Sequence, residues 1–253
     1  MKDYADFAKE TNRSPGIVDA NRDGQSDIGQ TELHPVVNVT RADAVAYCQW
    51  LTARERASKH IPAELEYRLP ADTEWSFAAG SGRGADRLPD PAARHNGNRN
   101  EYPWLPSWVW PPPVAEGTTP AAANLGDLSA LHAKEKPLGN LLQKPINELE
   151  DWKYNDGAVF TAPVGQYVKN PLGLYDMSGN VWEFVAEDFG DNGGKGKAEF
   201  AKYAVTRGAS WAEAVTNDRQ RFWTQYRRAV PPDKEADAST GFRVVLAPIR
   251  KSP

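Results

Sequence analysis

Between Asp3 and Thr11 the apolar residues Tyr4, Phe7 and Ala8 recur among charged neighbours at the spacing of a short amphipathic helix. Turn-forming residues follow from Asn12 to Glu32. Thr40-Arg41-Ala42-Asp43 then sets a hydroxyl at an N-cap and a carboxylate three residues on, a capping-box pattern that predicts a helix over 41–57. Ala44, Cys48 and Leu51 share a face of that helix, with Val45 beside them, and Arg54, Glu55 and Arg56 make its far end polar. A shorter helix is predicted from about Ala71 to Ala79, with Trp75, Ala78 and Ala79 turned inward and Gly80 ending it. From Gly80 to Lys153 the periodicity gives way to Pro, Gly and Asn, and Pro111-Pro112-Pro113 forbids helix. So long an irregular stretch needs anchors to sit inside one domain, and Trp104, Trp108 and Trp110 are read as such anchors. Past Thr161, short apolar runs bounded by Gly, Asn and Asp predict strands, among them Val205–Arg207 and Phe242–Leu246. Nothing repeats and no linker divides the chain, so 1–253 reads as one domain with an irregular insert at about 80–153.

Composition removes several function classes. With 40% hydrophobic and 25% charged residues, the 253-residue chain is ordinary for a globular domain. No apolar run approaches the roughly 20 residues that cross a bilayer. A formal charge of −4, from 30 basic and 34 acidic residues, argues against a phosphate-backbone partner, so no nucleic acid is expected. The single Cys48 excludes an intrachain disulfide and any multi-cysteine metal site. The histidines at 34, 60, 95 and 132 do not fall at HxH or HxxxH spacing. The start Met1-Lys2-Asp3-Tyr4 lacks the basic and apolar segments of a signal peptide, and the compartment stays open because a fragment of a longer protein would have lost one.

Four segments carry a resemblance. They are His34-Pro35-Val36-Val37-Asn38-Val39-Thr40; Tyr67-Arg68-Leu69-Pro70 leading to Glu74-Trp75; Gly173 to Glu183, reading GLYDMSGNVWE; and Arg207-Gly208-Ala209-Ser210-Trp211 with Gly241-Phe242-Arg243. In this order they resemble the formylglycine-generating enzyme, or sulfatase-modifying factor, family. The resemblance implies an α+β, C-type-lectin-like fold with little regular secondary structure. It also implies that the family's usual first strand, before the Asp3 helix, has no counterpart here. The family's oxidases hold copper on a cysteine pair between the Gly-x-Ser and Gly-Phe-Arg motifs. From Trp211 to Thr240 this chain has no cysteine, so no copper is expected, and Cys48 reads as an ordinary buried thiol. The family's iron-dependent branch, with three histidines and an added helical domain, is not matched either.

The resemblance implies one or two calcium ions. Asn124 and Asp156 side chains with the Leu125 and Ala158 carbonyls would hold the first. Asp176 and Glu183 side chains with the Gly179 and Val181 carbonyls would hold the second. Hard oxygen donors on sharply turning loops suit calcium; the other reading is that these acids cap loops or face water. Independently of the family, Asp19, Asn21, Asp23 and Asp27 follow the first positions of an EF-hand-type loop with Gly24 at its turn. Gln30 stands where a bidentate glutamate belongs, so a polar surface turn is an equal reading.

Arg221, Trp223 and Arg228 interleave cations and a rigid aromatic in the manner of a binding surface, and Ser210 matches a residue lining the family's pocket. Phe222 and Tyr226 are read as core. The function expected is a calcium-stabilised, non-catalytic domain that binds a protein or small-molecule ligand. One alternative is a metal-dependent oxidoreductase of non-cysteine chemistry using Ser210 with Glu213, Asp218 or Arg227. Another is a hypervariable, retroelement-diversified lectin-like binder, although residues 212–240 are rich in Glu, Gln, Lys and Arg rather than in asparagine-derived codon choices.

Overall fold

A computed structural model describes residues 1–18, 26, 29–81, 102–104, 121–127, 129, 154–191, 198–213 and 220–249. The Thr40 capping box forms as the sequence predicts: the Thr40 hydroxyl accepts from Asp43 N–H at 3.1 Å, and the Asp43 carboxylate accepts from Thr40 N–H at 3.0 Å. It starts helix α2, Arg41–Ala57, which buries Ala44, Tyr47, Cys48 and Leu51. Val45 lies off that stripe and is 41% exposed; Tyr47, at i+3 from Ala44, takes the inward place instead. Helix α1, Lys2–Thr11, buries Tyr4, Phe7 and Ala8 against α2, where Tyr4 and Tyr47 tilt against each other and each meets Phe242 edge to face. Helix α3, Asp72–Ala78, is entered through Glu74, whose carboxylate accepts Ala71 N–H at 2.7 Å. Trp75 and Ala79 are buried, while Ala78 is only partly so and Phe77 faces outward.

Two small sheets carry the rest. Strand β1, Leu65–Arg68, pairs antiparallel with β6, Val245–Pro248. The other sheet runs in the order β4-β3-β2-β5, with β2 Trp182–Asp188, β3 Ala204–Arg207, β4 Arg228–Val230 and β5 Thr240–Phe242. β2 is antiparallel to β3 and parallel to β5. The single strand predicted over 242–246 is therefore two. The chain leaves one sheet after Phe242 and joins the other at Val245, because Arg243 turns aside to meet Glu183 on β2. Beneath the sheet, Asp72 ion-pairs with both Arg207 and Arg227, all three buried, tying α3 to β3 and to the approach to β4. Of the predicted anchors Trp104 is buried and stacks on Tyr102 at 4.9 Å; Trp108 and Trp110 lie outside the described residues, as does most of 80–153.

Candidate functional site

Strand alternation sends Trp182 and Glu183 of β2 to opposite faces, and each organises a polar cluster. Trp182 is fully buried, so its indole N–H needs an acceptor. It donates to Glu213 at 3.1 Å, and the other Glu213 oxygen accepts from Arg221 at 2.7 Å. The Arg228 guanidinium lies 5.2 Å over the Trp182 ring and donates to Asp237 at 2.9 Å. Tyr226 packs on the same ring at 5.9 Å, and Trp223 donates to the Tyr102 hydroxyl at 3.3 Å. Thus Arg228 lies on Trp182 and Arg221 is linked to it through Glu213, and Trp223 is half-buried against the same core cluster. Phe222 is core, and Tyr226 packs partly buried against it. Ser210 is completely enclosed, its hydroxyl accepting from Ala212 N–H at 3.3 Å. Arg227 is committed to Asp72, and Asp218 lies outside the described residues. Cys48 is buried in α2 with Leu69, Phe184 and Val230, and burial pushes its thiol up to about 12.

On the first expected calcium locus, Asp156 accepts Leu125 N–H at 2.7 Å and Ala158 N–H at 2.9 Å, closing the 124–158 loop pair. Asn124 donates to the Phe160 carbonyl at 2.7 Å, but its Oδ1 is buried with no hydrogen-bond partner. Such an oxygen costs about 1–3 kcal/mol unless something else satisfies it. Asp127, which sequence reasoning did not select, lies against Asp156 and accepts its N–H at 2.5 Å. Burial and the Asp127 charge push the Asp156 carboxyl up to about 8. The orphaned amide oxygen of Asn124, one residue before the Leu125 N–H that Asp156 holds, is a hard oxygen donor of the kind a divalent cation takes. The only sequence cue to Asp127 is an acid three residues beyond Asn124.

The second locus is less open. Asp176, at φ 55°, accepts Gly165 N–H at 2.8 Å and leaves its buried Oδ1 without a partner. Burial raises its carboxyl above the ordinary carboxylate range. Glu183, by contrast, is engaged: Arg243 donates to both its oxygens at 2.5 Å, and Trp75 donates at 2.7 Å. The same guanidinium reaches the Tyr175 and Asp176 carbonyls. A cation here would share Glu183 with a fixed positive charge, so the first locus fits the ion better. The two are joined through Gly179 and Asn180. Asn180 N–H donates to the Asn124 carbonyl at 2.8 Å, and Gly179, at φ 80°, passes so close that a Cβ would stand 2.3 Å from that oxygen. Asp19, Asn21, Asp23 and Asp27 lie outside the described residues; Gln30 accepts Val18 N–H at 2.9 Å and donates to the Pro35 carbonyl at 3.2 Å.

Comparison with known proteins agrees with this architecture. The formylglycine-generating enzyme of Mycobacterium tuberculosis is 28% identical over 239 residues, covering 88% of this chain and 61% of its own length. The inactive C-alpha-formylglycine-generating enzyme 2 of Mus musculus is 30% identical over 213 residues, covering 83% and 48%. The chain thus spans about three-fifths or less of the length of these relatives. Among solved structures, PvdO from Pseudomonas aeruginosa superposes with a TM-score of 0.55 at 20% identity, over 95% of this chain and 74% of its own. The crystal structure of CarF gives 0.54 at 23% identity, over 98% and 82%. These two establish the α+β, formylglycine-generating-enzyme-like fold. The sulfatase-modifying factor enzyme 1-like domain matches residues 1–248, and this chain belongs to that family.

Proposed function

We propose that this domain is a binding module on the formylglycine-generating-enzyme scaffold, held in shape by calcium, that recognises a protein or small-molecule ligand and does not oxidise a cysteine. The observation that carries the reading is the Arg221–Glu213–Trp182 chain. In a segment that has no thiolate between 211 and 240, the indole of the family's Trp-Glu motif is tied to an ion pair. The nearby Arg228 and Trp223 add a planar cation and a half-buried aromatic, groups suited to an acidic or flat ligand. Calcium would be held first by Asn124 and Asp156 with the Leu125 and Ala158 carbonyls, and more weakly at Asp176, Gly179, Val181 and Glu183. Its contribution is structural: it neutralises buried carboxylates and fixes the loops that support Trp182. That relatives include both an active enzyme and an inactive one is compatible with a binding role.

The test is to load the purified protein with Cu(I) against a chromophoric chelator and to incubate it with a sulfatase-type cysteine peptide under oxygen. The expected result is no copper retained and no formylglycine above a protein-free blank. Turnover that persists after removal of contaminating enzyme would overturn the reading.

A further inference from the structure

We infer that Asp127 is a positioning and charge-setting residue of the Asn124–Asp156 cation locus; the inference rests on the proposal that calcium binds there. Asp127 is 1% exposed, and both of its oxygens are used to shape the locus. Oδ2 accepts the main-chain N–H of Asp156 at 2.5 Å, and Oδ1 accepts Ser129 N–H at 2.7 Å. The first contact fixes the backbone that carries Asp156, whose side chain in turn holds Leu125 and Ala158 by their N–H groups. It therefore orients the two segments expected to supply carbonyl oxygens. The second effect is charge. Asp156 alone with the neutral Asn124 would offer a cation one negative charge, and Asp127 brings a second one within the same buried volume. A divalent ion neutralises such a pair, whereas a monovalent one leaves a charge uncompensated in a poorly solvated site. Ligand charge count is a principal means by which calcium affinity is set. The partnerless Asn124 Oδ1 is an independent sign that a cation belongs at this point.

The experiment is a calcium titration by calorimetry, in potassium buffer, of the wild-type chain, Asp127→Asn, Asp127→Ser and the Asp127→Asn/Asp156→Asn double variant, with melting temperatures recorded in chelator. Asp127→Asn and Asp127→Ser should raise the calcium Kd about tenfold or more, and the double variant should be as insensitive to calcium as Asp156→Asn, titrated beside it. If both single variants melt lower in chelator yet keep the wild-type Kd, Asp127 is only a loop cap and the inference is overturned. If either fails to fold, the other decides by the same criterion; loss of folding in both, with calcium present, makes Asp127 structural and also overturns it. A wild-type chain that takes up no calcium overturns the binding proposal and this inference together, an outcome distinct from the others.

Discussion

Replacing Gly179 by alanine perturbs the joint between the two candidate calcium loci at a single atom. Gly179 sits at φ 80°, where an L side chain costs roughly 1–2 kcal/mol. Its added Cβ would stand 2.3 Å from the Asn124 carbonyl oxygen, a backbone atom that cannot swing away. The turn must shift, and the 2.8 Å bond from Asn180 N–H to that carbonyl lengthens or breaks. Both residues are about 1% exposed, so water does not replace the lost partner. Strain, overpacking and an unsatisfied buried pair together come to about 3–5 kcal/mol, a fall in melting temperature of roughly 10 °C for a domain of this size. Gly173 is the control: its φ is 82°, but nothing lies within 4 Å of an added Cβ, so Gly173→Ala should cost only the conformational part, about 1–2 kcal/mol. Urea denaturation of the two variants side by side, in calcium and in chelator, reads the difference. Equal losses for Gly179→Ala and Gly173→Ala would refute the close approach on which the coupling of the loci rests.

Two further predictions concern single buried groups. With its thiol near 12, Cys48 carries about one part in ten thousand thiolate at pH 8; iodoacetamide should leave it unlabelled in the native protein and alkylate it fully in urea, and rapid native labelling would contradict its place in the core. His34 is 9% exposed, and burial, then the N-terminal charge, lower its pKa below the usual 6.5, against a contact with Thr161. The unfolded chain therefore binds this proton more readily, so stability should fall as pH drops through the unfolded value near 6.5. His34→Gln should flatten that part of the melting profile, and unchanged slopes would refute the assignment.

What the sequence disclosed followed the range of the interactions involved. Thr40 and Asp43 are three residues apart, so their reciprocal cap was legible, and so was the stripe of Tyr4, Phe7 and Ala8. The motif segments from His34 to Arg243 located the fold because they hold many residues in fixed order. The division of 242–246 into two strands was not legible: alternation marks an extended chain but not which neighbour it pairs with, and the turn is set by Glu183, 60 residues away. Asp127 escaped for the same reason, since its role depends on Asp156, 29 residues on. Glu213 appeared in the sequence only as one acid among several; its bond to Trp182 spans 31 residues.

The most direct test of the account is the melting temperature of the wild-type chain and of Asp156→Asn, each measured in strong chelator and in calcium. An ion that binds only the folded chain stabilises it by RT ln(1 + [L]/Kd), about 2.7 kcal/mol at a hundred times Kd. The melting temperature of the wild-type protein should rise with calcium, fall back on chelation, and respond little in Asp156→Asn. An identical melting temperature in both conditions, with no calcium found in the purified protein by elemental analysis, would contradict it.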